Sequence, residues 1–251
     1  IIDAMQQAFI IDGQKISLSA SMGIAIYPDH GENGETLVRN ADIAMNHIKA
    51  HGKNSFHVFE SKLQDSLSRR MTLEMDLRAA LDDNQFFLGY QPLVDSDSGE
   101  LIGLEALIRW QHPRWGLLMP LDFLEVAEES GFIVKIGEWV LNDAMHCAQE
   151  WSTLLGRPFQ ISVNRSPVEL MSKVPMKDWD TRLKALALPR NSLAVGITEE
   201  ALTNESPNVR EKLDYLRTAG VQLSINNFGT GCSSMTFLKK LNVDFLKIDM
   251  S

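Results

Sequence analysis

Six polar residues stand where apolar, strand-like runs end: Glu105, Asn164, Glu199, Asn226, Asn227 and Lys247. Carboxylates, amides and an amine gathered at strand ends can do two kinds of chemistry. Carboxylate and carbonyl oxygens are the donors that hard cations such as Mg²⁺ and Mn²⁺ select. Ammonium and guanidinium N–H groups bind anionic oxygens directly, and Arg109 stands four residues after Glu105. The bland readings are a surface acid at Glu105, a capping residue at Asn164 and a structural ion pair of Lys247 with Asp249 or Glu199. The six histidines show no metal-ligand spacing. Cys147 and Cys232 lie far apart and outside any CxxC pattern, so neither a zinc site nor a disulfide framework is indicated, and a reducing cytoplasm is expected.

The elements that must position these residues follow from periodicity. Apolar strands are expected at Phe86–Val94, Leu101–Trp110, Phe159–Asn164, Leu193–Thr198, Val221–Asn227 and Val243–Ile248. Helices fill the gaps, clearest at Pro120–Ser130, Ile136–Trp151 and Pro207–Ala219. Repeated β-then-α units predict a largely parallel sheet or barrel. Barrel and open sheet both place ligands at the carboxyl ends of strands, so the pattern leaves the two open.

Before Phe86 the rhythm differs. Ile16 to Tyr27 reads as strand, Glu35 to Ala50 as an amphipathic helix and Ser55–Phe59 as a final short strand. Residues 61 to 83 lack Pro and Gly and carry Leu63, Leu67, Met71, Met75, Leu77 and Leu81 at helical spacing. The expected division is a first part over 1–60, a linking helix over 61–83 and a second part over 84–251.

Composition narrows the classes. The chain has 251 residues, 44% hydrophobic and 23% charged, enough for a sizeable core. A net charge of −9 argues against a DNA or RNA binder, which would show a basic footprint. No apolar run approaches the length of a membrane span. The chain opens on Ile1 and ends on Ser251, and both ends read as cut from something longer, so a membrane anchor elsewhere in a parent protein stays open.

The second part resembles the EAL domain family, metal-dependent phosphodiesterases of cyclic di-GMP on a modified (β/α) barrel. The resemblance rests on Glu105-Ala106-Leu107-Ile108-Arg109-Trp110, then His112-Pro113, Gly116, Pro120 and Phe123 to Gly131. It continues through Ser162-Val163-Asn164, the glycine-rich Phe228-Gly229-Thr230-Gly231-Cys232-Ser233-Ser234 and Leu246-Lys247-Ile248-Asp249. The first sixty residues resemble the last third of a GGDEF domain, through Ser21 to Ala25, Ala41 to Met45, Lys49 and Gly52-Lys53-Asn54. Lys49 and Lys53 are its carried-over phosphate contacts, and Asn46 replaces the family's usual Tyr. The implied fold is therefore an α/β chain, an EAL-type modified (β/α) barrel preceded by the α/β tail of a GGDEF domain.

The resemblance implies ligand contacts at Arg109, Leu107, Pro120 and Gly229, catalytic roles at Lys247 and Glu199, and metal ligands at Glu105 and Asn164. It also implies Mg²⁺ or Mn²⁺ as cofactor. The match fails at three of the family's expected carboxylates, where Gly196, Asn226 and Asn227 stand. A charged contact in a shielded site is worth ~1.5–3 kcal/mol, so three losses cost at least about 4.5 kcal/mol. That is over about a thousandfold in cation affinity. Three readings follow: a cyclic di-GMP receptor or regulatory module that does not hydrolyse its ligand, a working phosphodiesterase with amide ligands, and a nucleotide-independent interaction module. The first two have cyclic di-GMP as partner, and a homodimer or a protein partner through the EAL-like part is compatible with all three.

Overall fold

The computed structural model describes residues 1–5, 8–11, 14–16, 18–50, 54–174, 176, 178–199, 201, 206–229 and 243–248. The chain divides into two compact units, Ile1–Leu73 and Glu74–Ser251.

In the first unit a short helix α1 (Ile2–Met5) precedes an antiparallel pair, β1 (Phe9–Ile11) and β2 (Gln14–Ile16). A parallel pair follows, β3 (Met22–Ile24) with β4 (Phe56–Val58), packed on helix α2 (Gly34–Ala50). The strand expected over 16–27 is thus much shorter, because its partner β4 offers only three residues to pair with. Gly23 is where the helix comes closest: a Cβ there would lie 1.7 Å from the carbonyl oxygen of Ala41. Lys49 lies exposed in the last turn of α2, and Lys53 lies outside the described residues. Helix α3 (Ser61–Ala80) runs where the uninterrupted helical pattern predicts one.

The second unit is built on one sheet with strand order β11-β10-β9-β8-β6-β5. Its elements in chain order are β5 (Phe86–Val94), β6 (Leu101–His112), β7 (Gly116–Leu118), α4 (Pro120–Glu129), α5 (Ile133–Leu155), β8 (Gln160–Asn164), α6 (Pro167–Met171), α7 (Trp179–Ala185), β9 (Leu193–Thr198), α8 (Pro207–Ala219), β10 (Gln222–Phe228) and β11 (Phe245–Ile248). Strands β6, β8, β9, β10 and β11 run parallel, while β5 and β7 pair antiparallel to β6. The fold is a mixed α/β, barrel-like one whose first strand is reversed.

Local sequence explains the boundaries. Pro120 and Pro207 occupy first-turn positions, where a missing N–H costs nothing. Gly156 and Gly220 end α5 and α8 in left-handed conformation, with φ of +61° and +85°. Central β9 is buried from Leu193 to Ile197, as a parallel strand covered on both faces must be. On β6 the alternation is strict. Leu104, Ala106, Ile108 and Trp110 are buried, while Glu105, Leu107 and Arg109 share the opposite, half-exposed face. Trp110 packs with Phe86 and Phe123, closing the core beneath α4. Among the described residues no helix is long and apolar enough to cross a membrane.

Candidate functional site

Strand register builds the site. Glu105 on β6 pairs Ser162 on β8, Asn164 at the end of β8 pairs Gly196 on β9, and β10 places Ser224 beside Gly196 and Asn226 beside Thr198. Because parallel neighbours in register point the same way, these side chains share one face at the carboxyl end of the sheet.

Five polar groups form one chain of hydrogen bonds. Lys247 Nζ donates to Glu105 Oε2 at 2.8 Å. Asn164 Nδ2 donates to Glu105 Oε1 at 2.8 Å. Asn226 Nδ2 donates to Asn164 Oδ1 at 2.6 Å. Ser224 Oγ, buried, donates more weakly to Asn226 Oδ1 at 3.4 Å. Among the described residues Lys247 therefore pairs with Glu105 and not with Glu199. Asp249 lies outside the described residues. Gly196 sits under the amide bridge: a Cβ there would lie 2.6 Å from both Asn164 Oδ1 and Asn226 Nδ2.

The other expected residues lie around this chain. Arg109 Nη1 folds back onto the carbonyl of Ile108 at 2.9 Å. Leu107 and Pro120 line a cavity of about 250 Å³ whose wall also includes Asn164, Leu124 and Ile136. Glu199 is buried just past the end of β9. Asn227 is exposed at φ +53° and Gly229 lies at φ +101°, so the chain leaves β10 through left-handed backbone, which glycine and asparagine tolerate best. Residues 230–234 of the glycine-rich run lie outside the described residues. His112 is buried and shapes a turn: its Nδ1 accepts from the backbone N–H of Arg114 and Trp115, and its Nε2 faces Asp76 Oδ2 at 3.0 Å.

Behind Asn164 lies a cluster that sequence reading missed. The backbone N–H of Arg165 donates to the Gly196 carbonyl at 2.8 Å, tying β8 to β9. Its side chain is buried, 3.0 Å from Glu169 Oε1 and stacked over the Trp179 ring at 5.2 Å. Ser166 caps α6, and its Oγ donates to Glu128 Oε1 at 2.7 Å. Burial pushes the Glu169 carboxyl above its ordinary range, and the Arg165 guanidinium opposes that shift only in part. Gly137 of α5 is required here, since a Cβ would fall 1.7 Å from Glu169 Oε1. An isolated Gly inside an otherwise strong helical pattern was the available signal.

An EAL domain family profile matches residues 74–251, and a profile for the diguanylate cyclase GGDEF domain matches 1–55. The chain is 37% identical over 249 residues to the bifunctional diguanylate cyclase/cyclic di-GMP phosphodiesterase MucR of Pseudomonas aeruginosa, covering 99% of this chain and 36% of that protein. It is 34% identical over 251 residues to the cyclic di-GMP phosphodiesterase NbdA of the same organism, covering 100% of this chain and 32% of the relative. The chain thus spans about a third of the length of these curated relatives. Among solved structures, the PaMucR phosphodiesterase in complex with c-di-GMP superposes with a TM-score of 0.66 at 38% identity, over 71% of this chain and 72% of that one. The FimX EAL domain of Pseudomonas aeruginosa bound to c-di-GMP gives 0.61 at 29% identity, over 72% and 71%.

Proposed function

The chain belongs to the EAL domain family, with a GGDEF segment ahead of the EAL part, and on that premise we propose that it is a cytoplasmic regulatory domain that recognises cyclic di-GMP without hydrolysing it. The observation that carries this reading is the state of Glu105. It is the one carboxylate in the hydrogen-bonded chain, and both its oxygens are engaged, by Lys247 and by Asn164.

Phosphodiesterases of this family are generally metal-dependent, and a divalent ion supplies Lewis acidity and a hydroxide nucleophile when bound. The donors present here do not fit such an ion. Hard cations need several anionic oxygens. Two of the positions around Glu105 carry amides, and Gly196 carries no side chain. Among the described residues no group of three or more His, Cys, Asp or Glu side chains could hold a metal. The residues retained suit recognition instead. Arg109 shares the half-exposed face of β6 with Glu105 and Leu107, Leu107 and Pro120 wall a cavity with room for a planar base, and fewer carboxylates repel a dianionic ligand less.

The printed activities of MucR and NbdA favour a second reading, a working phosphodiesterase. One assay decides. The protein is incubated with cyclic di-GMP with and without Mn²⁺; calorimetry reads binding and chromatography reads conversion. Binding with no linear dinucleotide is the expected result. Metal-dependent conversion establishes the second reading, and no binding at high micromolar nucleotide ends the first.

A further inference from the structure

The hydrogen-bonded chain has a single direction. Asn226 donates to Asn164 and Asn164 to Glu105, which Lys247 meets from the other side, while the Ser224 hydroxyl lies within reach of both Asn226 Oδ1 and the Val195 carbonyl. Both amide donors and the ammonium point toward the same carboxylate. Amides can relay in this way, because each has an N–H end and a carbonyl end. A carboxylate at position 226 would put an acceptor against Asn164 Oδ1 and break the order. Gly196 belongs to the same unit, since any side chain there would enter the 2.6 Å bridge. The lost carboxylates are therefore replaced by a coherent arrangement, not by a vacancy.

The arrangement ends on an ammonium. Lys247 is bound to Glu105 at 2.8 Å, its side chain 28% exposed. Among the described residues Nζ has no other hydrogen-bond partner, which leaves two of its three N–H donors to face a ligand.

We propose that the ammonium of Lys247 is the resident cation of this site. It neutralises Glu105 in place of a divalent metal and donates to a phosphodiester oxygen of the nucleotide, so that binding is independent of divalent ions. The inference rests on the cyclic di-GMP reading and deepens it.

Two measurements on the chain, with Lys247→Met and Lys247→Arg, test it. The first is calorimetric titration with cyclic di-GMP in excess EDTA and again in Mn²⁺. Wild type binds equally in both. Lys247→Met binds about tenfold or more weakly, since a hydrogen bond to a charged group contributes ~1.5–3 kcal/mol, and each ~1.4 kcal/mol is tenfold. Lys247→Arg, which keeps the charge, retains most of the affinity. Circular dichroism of each variant checks that the fold is intact. The second is a Mn²⁺ titration followed by electron paramagnetic resonance with no nucleotide present. Lys247→Met gains Mn²⁺ affinity over wild type, because Glu105 has lost its counter-ion. Nucleotide binding that requires Mn²⁺, or that is unchanged in Lys247→Met, overturns the inference and leaves the cyclic di-GMP reading standing. If no nucleotide binds under any condition, that reading fails. The manganese titration then still decides on the resident cation: equal Mn²⁺ affinity in wild type and Lys247→Met overturns it.

Discussion

Replacing Gly196 by Ala isolates the amide bridge. The added methyl group would sit 2.6 Å from Asn164 Oδ1 and from Asn226 Nδ2, well inside contact distance, so one of the two amides must move. The hydrogen bond lost is worth about 1 kcal/mol net, and overpacking adds ~1–3 kcal/mol at sites that cannot relax. Opposing these, Ala gains roughly 0.5–1 kcal/mol over Gly inside a strand. Gly196 has no positive φ, so backbone strain does not enter. Asn164 is exposed and can turn toward water, which puts the expected net loss at about 1–2 kcal/mol, the low end of these terms.

The decisive quantity is the coupling. In an Asn226→Ala background the bridge is already gone and Asn164 is free to yield, so Gly196→Ala should cost less than about 0.5 kcal/mol, or stabilise. Urea unfolding followed by tryptophan fluorescence measures both, and all five tryptophans lie in the Glu74–Ser251 unit that holds the site. Equal cost in both backgrounds would refute the claim that Gly196 is glycine because the Asn164–Asn226 bond passes over it.

Three further outcomes follow from the same contacts. The Glu169 carboxyl is raised by burial, so the folded state holds its proton to higher pH than the unfolded chain; stability is therefore full below the ordinary value of about 4.3 and falls as pH rises toward the folded one. Glu169→Gln should flatten that fall, and a wild-type-minus-variant difference in urea midpoint that stays constant across this window would contradict the assignment. Restoring Gly196→Glu, Asn226→Asp and Asn227→Asp together should raise Mn²⁺ affinity by over about a thousandfold, by the same ~1.5–3 kcal/mol per charged contact. Gly196→Glu alone should not, because its side chain collides with the intact amide bridge; calorimetry that finds the single change as effective as the triple would rule out the coupling. The Cys147 thiol is pushed up by burial first, with Glu150 and Asp143 adding to the shift, so in a Cys232→Ser background it should react with a disulfide reagent near pH 8 more slowly than free cysteine does. Reaction at the rate of free cysteine would show that the thiol is not held in its protonated form.

Much of this was legible from residue types alone, for reasons that differ by element. Strands β5, β6 and β9 are visible because their apolar runs are long and bounded by turn residues. Helix α8 is visible because Pro207 and Gly220 mark its two ends. The reversed direction of β5 is invisible to periodicity, which records which face is buried and not which way a strand runs. The positions of Glu105, Asn164 and Asn226 on three strands could be read from motif order, but not the hydrogen bonds among them. That Lys247 reaches Glu105, separated by 142 residues, is a consequence of register between strands that are not neighbours in the chain. Arg165 and Glu169 are not legible in the sequence, because a charged pair four residues apart carries no sign that it is buried.

The end of β8 shows how the two layers of the unit are joined. Asn164 and Arg165 are consecutive, so their side chains leave opposite faces of the strand. Asn164 enters the site and Arg165 enters the helical layer. Each needs a glycine on a neighbouring element: Gly196 lies under the Asn164–Asn226 bond, and Gly137 lies beside the Arg165–Glu169 pair. The Arg165 N–H is held by the Gly196 carbonyl, so one peptide group links the two arrangements. A change that shifts α5 or α6 against Arg165 therefore moves the backbone that carries Asn164, and with it one of the two groups bound to Glu105. That peptide group joins the buried ion pair to the strand end that carries the hydrogen-bonded chain. It is a physical connection through two bonded neighbours, and it needs no longer path across the sheet.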